Sequence, residues 1–348
     1  MSYRIFRERF RLPPCFCIGP TSYQADRTVP ATDTIILPER LFDDYELTFH
    51  ISDRVSHGNY MGRKHKLVAA LTAREQMRID DQIVMDCRFH APDNFAHFLC
   101  THIPLLADIT RQLDVPFEKV KVILPKQVPG YIAGLVKVFG LDAVMTDQPV
   151  SGRMITFDQP YKSELRVLRR TMIARAGLPD RLAAQSALSE QTFGGPYFIA
   201  RRGPRALENH DDVAAFLEAR GYQTVYMEDL PLIDQFKLVQ NATSVVGIHG
   251  AGLASLLYVN RPENLDALVE LQPVGLASTI FREMAHAQDA YYVTVRGKLK
   301  PAYLPAIYDT KGSYMMHQND SFSIDIASLE QALEFADRKL IAKSWLQQ

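Results

Sequence analysis

Cysteine is scarce in this chain, tryptophan occurs once, the net charge is close to zero, and no long apolar run is present. Four cysteines in 348 residues are too few for a disulfide scaffold, and Cys15, Cys17, Cys87 and Cys100 include no CxxC pair. Cys15 and Cys17 face one way if their segment is extended. Without His or Cys partners at ligand spacing they read as packing residues, and reduced thiols fit a cytoplasmic location. Lys plus Arg number 39 against 40 Asp plus Glu, so no global field points to nucleic acid or an acidic membrane surface. Any anion site must therefore be a local cluster. No stretch approaches the roughly 20 apolar residues of a membrane span, which leaves at most peripheral contact with a membrane. The early charges Arg4, Arg7, Glu8, Arg9 and Arg11 precede no apolar segment, so no signal peptide is expected. Asp142, Asp147 and the Asp211–Asp212 pair form no metal-binding set, and neither a cofactor nor a metal is expected.

What is present is the composition of a folded protein, 47% apolar and 23% charged. The length suggests two domains rather than one core. Residues 1–45 are proline-rich, and only Thr34 to Leu37 looks like a strand there. Glu46 to Ser52 alternates as a half-buried strand, followed by a loop with His57 and a basic run at Arg63 to Lys66. Gln82 to Phe89 reads as a strand; Asp93 or Asn94 then caps a helix with Phe95, Phe98, Leu99, Ile103, Leu106 and Ile109 on one face. Pro104 removes the N–H that Cys100 needs, so a kink or break is expected there. Strands at Lys121–Leu124 and Ala143–Met145 alternate with helix, and residues 161–176 look helical and basic.

The second half repeats the alternation. Strands are expected at Tyr197–Ala200, Thr224–Met227, Ser244–Ile248, Ala267–Leu271 and Tyr291–Val295, with helices between them, one of them capped by Asn209. Strand alternating with helix implies an α/β fold with a mainly parallel, Rossmann-like sheet and ligands at the C-terminal strand ends. The expected domains are 1–185, 186–325 and a terminal helix, 326–348, packing back toward the first domain.

The densest chemistry lies at Gly247-Ile248-His249-Gly250-Ala251-Gly252, a glycine turn between a buried strand and a helix start. Such a turn presents unpaired backbone N–H groups that suit a phosphate, although the same glycines also serve close helix–strand packing. Arg201, Arg202 and Arg205 follow one strand end and Glu270 ends another strand. Guanidinium groups and helix-start amides make a metal-free diphosphate site, and a carboxylate beside them can bind ribose hydroxyls.

These blocks, Tyr197-Phe198-Ile199-Ala200-Arg201-Arg202, Arg205-Ala206-Leu207-Glu208-Asn209, Gly247 to Leu253 and Val269-Glu270-Leu271, resemble glycosyltransferase family 61. Asn94-Phe95-Ala96-His97-Phe98-Leu99, with Pro104 and Leu105 following, is similar to that family's second signature. The family includes plant xylan-modifying transferases, eukaryotic O-linked N-acetylglucosaminyltransferases and bacterial polysaccharide-synthesis proteins. The resemblance covers roughly residues 90–275. It implies a GT-B fold, with two Rossmann-like lobes around a cleft, and an inverting transfer from a nucleotide-sugar, most often UDP-linked. Ser255 stands where members commonly carry Asn, so donor-sugar contacts are expected to differ there.

On this reading Arg201, Arg202, Arg205, His249, Gly250, Ala251, Gly252, Ser255 and Glu270 bind the donor. The base that takes the acceptor's proton is expected from the first lobe, with His97 as first choice and Asp93 as second; Asn94 and His57 lie on the acceptor side. His97 is equally a helix-start histidine with local backbone partners, and His57, His65 and His90 read more readily as surface groups. The acceptor is a glycan or lipid-linked glycan. Two rivals share the residues: another two-lobed polysaccharide-modifying enzyme such as a pyruvyl transferase, and a non-catalytic nucleotide-binding subunit of a polysaccharide-assembly complex.

Overall fold

A computed structural model of the chain describes residues 2–7, 9–19, 22–24, 27–29, 34–43, 45–58, 76–89, 91–158, 169–276, 278–300 and 317–346. The basic run at 63–66, with His65, and also His90 and the first part of the expected 161–176 helix lie outside these residues. The chain is mixed α/β and divides into two units, one of residues 1–10 and 42–185, the other of residues 11–41 and 186–348.

The first unit carries a six-stranded sheet in the order Ser2–Arg7, Tyr45–Ser56, Val150–Phe157, Met77–Asp86, Val120–Leu124, Ala143–Met145. The last four strands run parallel, and Tyr45–Ser56 is antiparallel to both its neighbours. Ile79, Val84, Ile123, Val150 and Met154 pack together on it. Neither Ser2–Arg7 nor Val150–Phe157 stood out in the sequence. The helix expected after Asn94 is broken where Pro104 predicts. A short turn at Phe95–His97 gives way to a π-helical turn at Phe98–His102, where the Ile103 N–H reaches back to the Phe98 carbonyl. A regular helix then runs over Ile103–Leu113 with proline in its first turn, where no N–H partner is missed.

A buried ion pair lies at the end of strand Met77–Asp86. Arg88, wholly inaccessible to solvent, donates to both Asp86 oxygens and to the carbonyls of Ser56, Thr146 and Gln148. Ser56 Oγ donates to Asp86 as well. Every polar group of the pair is matched, which is the condition for burying charge.

The second unit is a seven-stranded sheet ordered Gln223–Tyr226, Gly195–Ala200, Ala242–Ile248, Ala267–Gln272, Tyr291–Arg296, Cys15–Ile18, Thr34–Leu37. The first six are parallel and Thr34–Leu37 closes the edge antiparallel. Counted from Gly195, the first five strands run 2-1-3-4-5, the doubly wound order with a switch point between Gly195–Ala200 and Ala242–Ile248. The proline-rich segment 11–41 was expected in the first domain and belongs instead to this unit. Its strand Cys15–Ile18 covers the apolar edge of Tyr291–Arg296, and Arg282 anchors it by donating to the carbonyls of Pro13 and Pro38. The terminal helix Ile326–Leu346 differs from expectation in the same way. Leu329, Ala332 and Leu333 join the core of the second unit, and Phe335 stacks on Phe16 at 4.5 Å. Those positions form an apolar stripe, and the sheet face bearing Val246, Val269 and Val293 receives it.

Asn209 occupies the N-cap position of His210–Glu218, but its side chain makes no cap bond. It pairs with Ile324 in both directions, donating to the carbonyl at 2.8 Å and accepting from the N–H at 3.0 Å. Residues 317–324 thus strap the loop after Ala200: Arg205 N–H donates to Asn319, Glu208 N–H to Phe322, and Phe322 N–H to Ala206.

Candidate functional site

The switch point brings the Arg201–Arg205 loop beside the glycine turn. Ile199 lies opposite Gly247 in the parallel register, so Arg201 emerges next to His249 and its Nη1 donates to the His249 carbonyl at 3.5 Å. Its Nε donates to the Pro204 carbonyl at 2.5 Å, curling the loop over itself. Arg205 adopts a left-handed backbone, φ 65°, at the point where the strap takes its N–H. Its Nε is buried and has no hydrogen-bond partner among the described residues. Burial, then the nearby Arg201 charge, lowers the Arg205 pKa to about 10, and Glu270 opposes this only in part. Burial also lowers the Arg201 pKa, against the pull of Glu228. Two guanidinium groups held close and partly desolvated, with no carboxylate ion pair among the described residues, favour an anion.

The turn adds backbone donors. Ala251–Tyr258 is a 3-10 helix, tighter than the α-helix expected, and the Leu253 N–H donates to the Gly250 carbonyl at 3.1 Å. The amides of Gly250, Ala251 and Gly252 precede that bond and find no acceptor among the described residues. Two of the glycines also leave room for neighbouring side chains. A Cβ on Gly250 would lie 2.0 Å from Arg201 Nη1, and one on Gly247 2.4 Å from a Leu253 methyl. The turn therefore serves both packing and donor exposure.

His249 is fixed from behind. Its Nδ1 bonds Glu270 Oε1, and Tyr292 donates its hydroxyl to Oε2 of the same carboxylate. Phe281 sets its ring edge against the imidazole at 5.0 Å. Glu270 has no exposed surface and both its oxygens are taken. Its expected role at ribose hydroxyls is corrected: it is a support for His249.

Two further donor-side expectations are corrected. Arg202 forms a two-point pair with Asp229 at 2.7 and 2.8 Å while stacking on Tyr226 at 3.7 Å, so its charge already has a partner within the protein. Ser255 is wholly buried, its Oγ without a hydrogen-bond partner among the described residues, so it offers no surface to a donor sugar. Tyr292 escaped the sequence reading because its meaning depends on its strand lying beside Ala267–Gln272, and no local pattern gives strand order.

In the first unit Asn94 caps the helix start, its Oδ1 accepting from the His97 N–H at 3.1 Å. This gives Asn94 a structural task at the helix start. His97 and Asp93 are exposed, and the Asp93 carbonyl accepts from Tyr131 at 2.8 Å. His57 is exposed next to Ser56 of the buried ion-pair network. Among the described residues no three His, Cys, Asp or Glu side chains converge as a metal site, and no helix is long and apolar enough to cross a membrane.

Residues 95–265 match the family model of Glycosyltransferase 61. The matched span includes His97, Arg201, Arg205, the glycine turn and Ser255, and ends before Glu270 and Tyr292. No curated protein matches the chain.

Proposed function

Since the chain belongs to glycosyltransferase family 61, we propose that it moves a sugar from a nucleotide-sugar donor, most simply a UDP-sugar, to a hydroxyl of a glycan or lipid-linked glycan during polysaccharide synthesis. The observation that carries this reading is the buried Arg205 Nε, which has no hydrogen-bond partner among the described residues, beside Arg201 and the Gly250–Gly252 amides at the switch point. The leaving nucleoside diphosphate gains negative charge as the anomeric bond breaks, and donors placed beforehand stabilise that charge without reorganising. Arg201, Arg205, the three amides and His249 take this role. The charge is met by guanidinium and amide groups, so the transfer proceeds without a metal ion.

The two units act as the lobes of a GT-B enzyme. An acceptor oxygen attacks the anomeric carbon from the face opposite the diphosphate, the configuration inverts, and His97 takes the acceptor's proton. Exposure of His97 at a helix start leaves its ring accessible to an acceptor, and Asp93 is the second choice. The protein works in the cytoplasm, where nucleotide-sugars are made.

A thermal-shift panel of nucleotide-sugars, followed by product mass analysis with the stabilising donor, tests the reading. A true donor at 100 times its Kd stabilises the folded chain by about 2.7 kcal/mol. If no nucleotide-sugar or nucleoside diphosphate shifts Tm, the reading fails. Activity should persist in EDTA; loss that Mn²⁺ alone restores would overturn the metal-free mechanism.

A further inference from the structure

We propose that Glu208 is a positioning residue for the donor diphosphate: with Lys300 and Ser323 it clamps the 317–324 strap, and the strap holds Arg205 in the backbone conformation that sets its guanidinium beside Arg201. The inference rests on the transferase reading and adds to it the device that keeps one phosphate contact in place. It starts from backbone strain. Arg205 has φ 65°, a left-handed region that a residue with a Cβ rarely occupies and keeps only where its surroundings over-determine it. The support comes from a distant stretch of chain. The Arg205 N–H donates to the Asn319 carbonyl at 3.0 Å, the Phe322 N–H to the Ala206 carbonyl at 3.1 Å, and the Glu208 N–H to the Phe322 carbonyl at 2.9 Å. Leu207 and Phe322 pair as a parallel bridge.

The strap in turn is held between two loops. On one side is 205–209; on the other is the chain leaving Tyr291–Arg296, where the Lys298 N–H donates to the Ser323 carbonyl at 2.8 Å. The Phe322 ring fills the space over Gly297, so that a Cβ there would come within 2.5 Å of it. Glu208 is the side chain that joins the two sides. Its Oε1 accepts from Lys300 Nζ, and its Oε2 accepts from Ser323 Oγ at 3.0 Å. Lys300 Nζ also donates to the Ser321 carbonyl at 2.9 Å. The strands that lead into these loops, Gly195–Ala200 and Tyr291–Arg296, stand second and fifth in the sheet, with Ala242–Ile248 and Ala267–Gln272 between them. The clamp therefore spans the strands that carry the glycine turn and Glu270.

Removing the Glu208 carboxylate unties Lys300 and Ser323 from the Arg205 loop. The strap then holds the Arg205 N–H less firmly, and the strained residue relaxes toward negative φ, carrying its guanidinium out of place. Affinity for a diphosphate falls by the fraction of molecules that keep the competent backbone, so a left-handed population reduced to about a tenth weakens binding about tenfold.

A double-mutant cycle of Glu208→Ala and Arg205→Ala in the full chain tests this, read by UDP calorimetry well below each variant's Tm. Glu208→Ala alone should weaken UDP by about 5- to 20-fold. In the Arg205→Ala background the same change should alter affinity by less than about twofold, because the group that Glu208 positions is gone. A merely structural role would lower Tm in both backgrounds and leave affinity untouched. UDP affinity unchanged in a folded Glu208→Ala overturns the clamp, as does an equal loss in both backgrounds, and either result leaves the transferase reading standing. UDP that fails to bind the wild type overturns both. Should Glu208→Ala not fold, Lys300→Met opens the clamp from its other side and takes the same place in the cycle, under the same criteria.

Discussion

Arg205 carries its charge where its buried Nε finds no hydrogen-bond partner among the described residues, and Arg202, three residues away, is paired with Asp229. The contrast makes the pair a test of the phosphate assignment at the level of single side chains. Charge-assisted hydrogen bonds are worth about 1.5–3 kcal/mol each, so Arg205→Ala should weaken UDP binding by roughly 10- to 100-fold. Arg202→Ala breaks its pair with Asp229, an exposed ion pair worth about 0.2–1 kcal/mol, and should leave binding within about threefold. Calorimetry on both variants checks the assignment, and equal losses would refute it. Gly250→Ala probes the same point sterically. The Gly250 backbone is extended, φ 172°, which any residue adopts, so the harm comes from the Cβ that meets Arg201 Nη1. UDP affinity should drop while Tm changes little. Gly247→Ala, by contrast, drives a Cβ into the Leu253 side chain in the core and should cost about 1–3 kcal/mol of stability in a denaturant titration.

At the scale of elements, the strap over 317–324 decides how the Arg205 loop is held. Asn209→Ala removes two hydrogen bonds to Ile324, each worth about 0.5–1.5 kcal/mol. The Ile324 amide should then exchange with solvent about 5- to 30-fold faster, with UDP binding reduced because Arg205 N–H loses its fixed acceptor on Asn319. Unchanged exchange would show that the loop holds its shape unaided. Sequence patterns reached as far as chemistry that is local. The glycine turn, the arginines after Ala200, the Asn94 cap and the break at Pro104 each follow from a few adjacent residues. The strap does not, because Asn209 looks like an ordinary N-cap until residues more than a hundred positions away arrive to claim its side chain. Glu270 fails for the same reason: a carboxylate at a strand end reads as a ribose ligand unless the order of strands places His249 and Tyr292 on either side of it.

On the scale of the whole molecule, the chain's order and its cores diverge. A boundary drawn near residue 185 would cut the sequence at a sensible place, yet the unit that holds the arginines and the glycine turn also needs residues 11–41. Cys17 and Ile18 are buried, Ile18 belongs to the core with Val293 and Val295, and Phe16 stacks on Phe335 of the terminal helix. A chain begun at Ser186 exposes the Tyr291–Arg296 edge as an unpaired, β-rich strand, the arrangement that templates aggregation. It also removes the Pro13 and Pro38 carbonyls that Arg282 donates to, leaving a buried guanidinium unmatched. Such a fragment should be poorly soluble and should not bind UDP. The same fragment carrying residues 11–41, joined through a flexible linker, should regain solubility and a cooperative thermal transition. Solubility, far-UV circular dichroism and UDP calorimetry on the two fragments check this. A stable, UDP-binding 186–348 fragment would mean that the N-terminal strand only decorates the sheet; rescue by 11–41 would mean that the donor-side unit is assembled from both ends of the chain around one core.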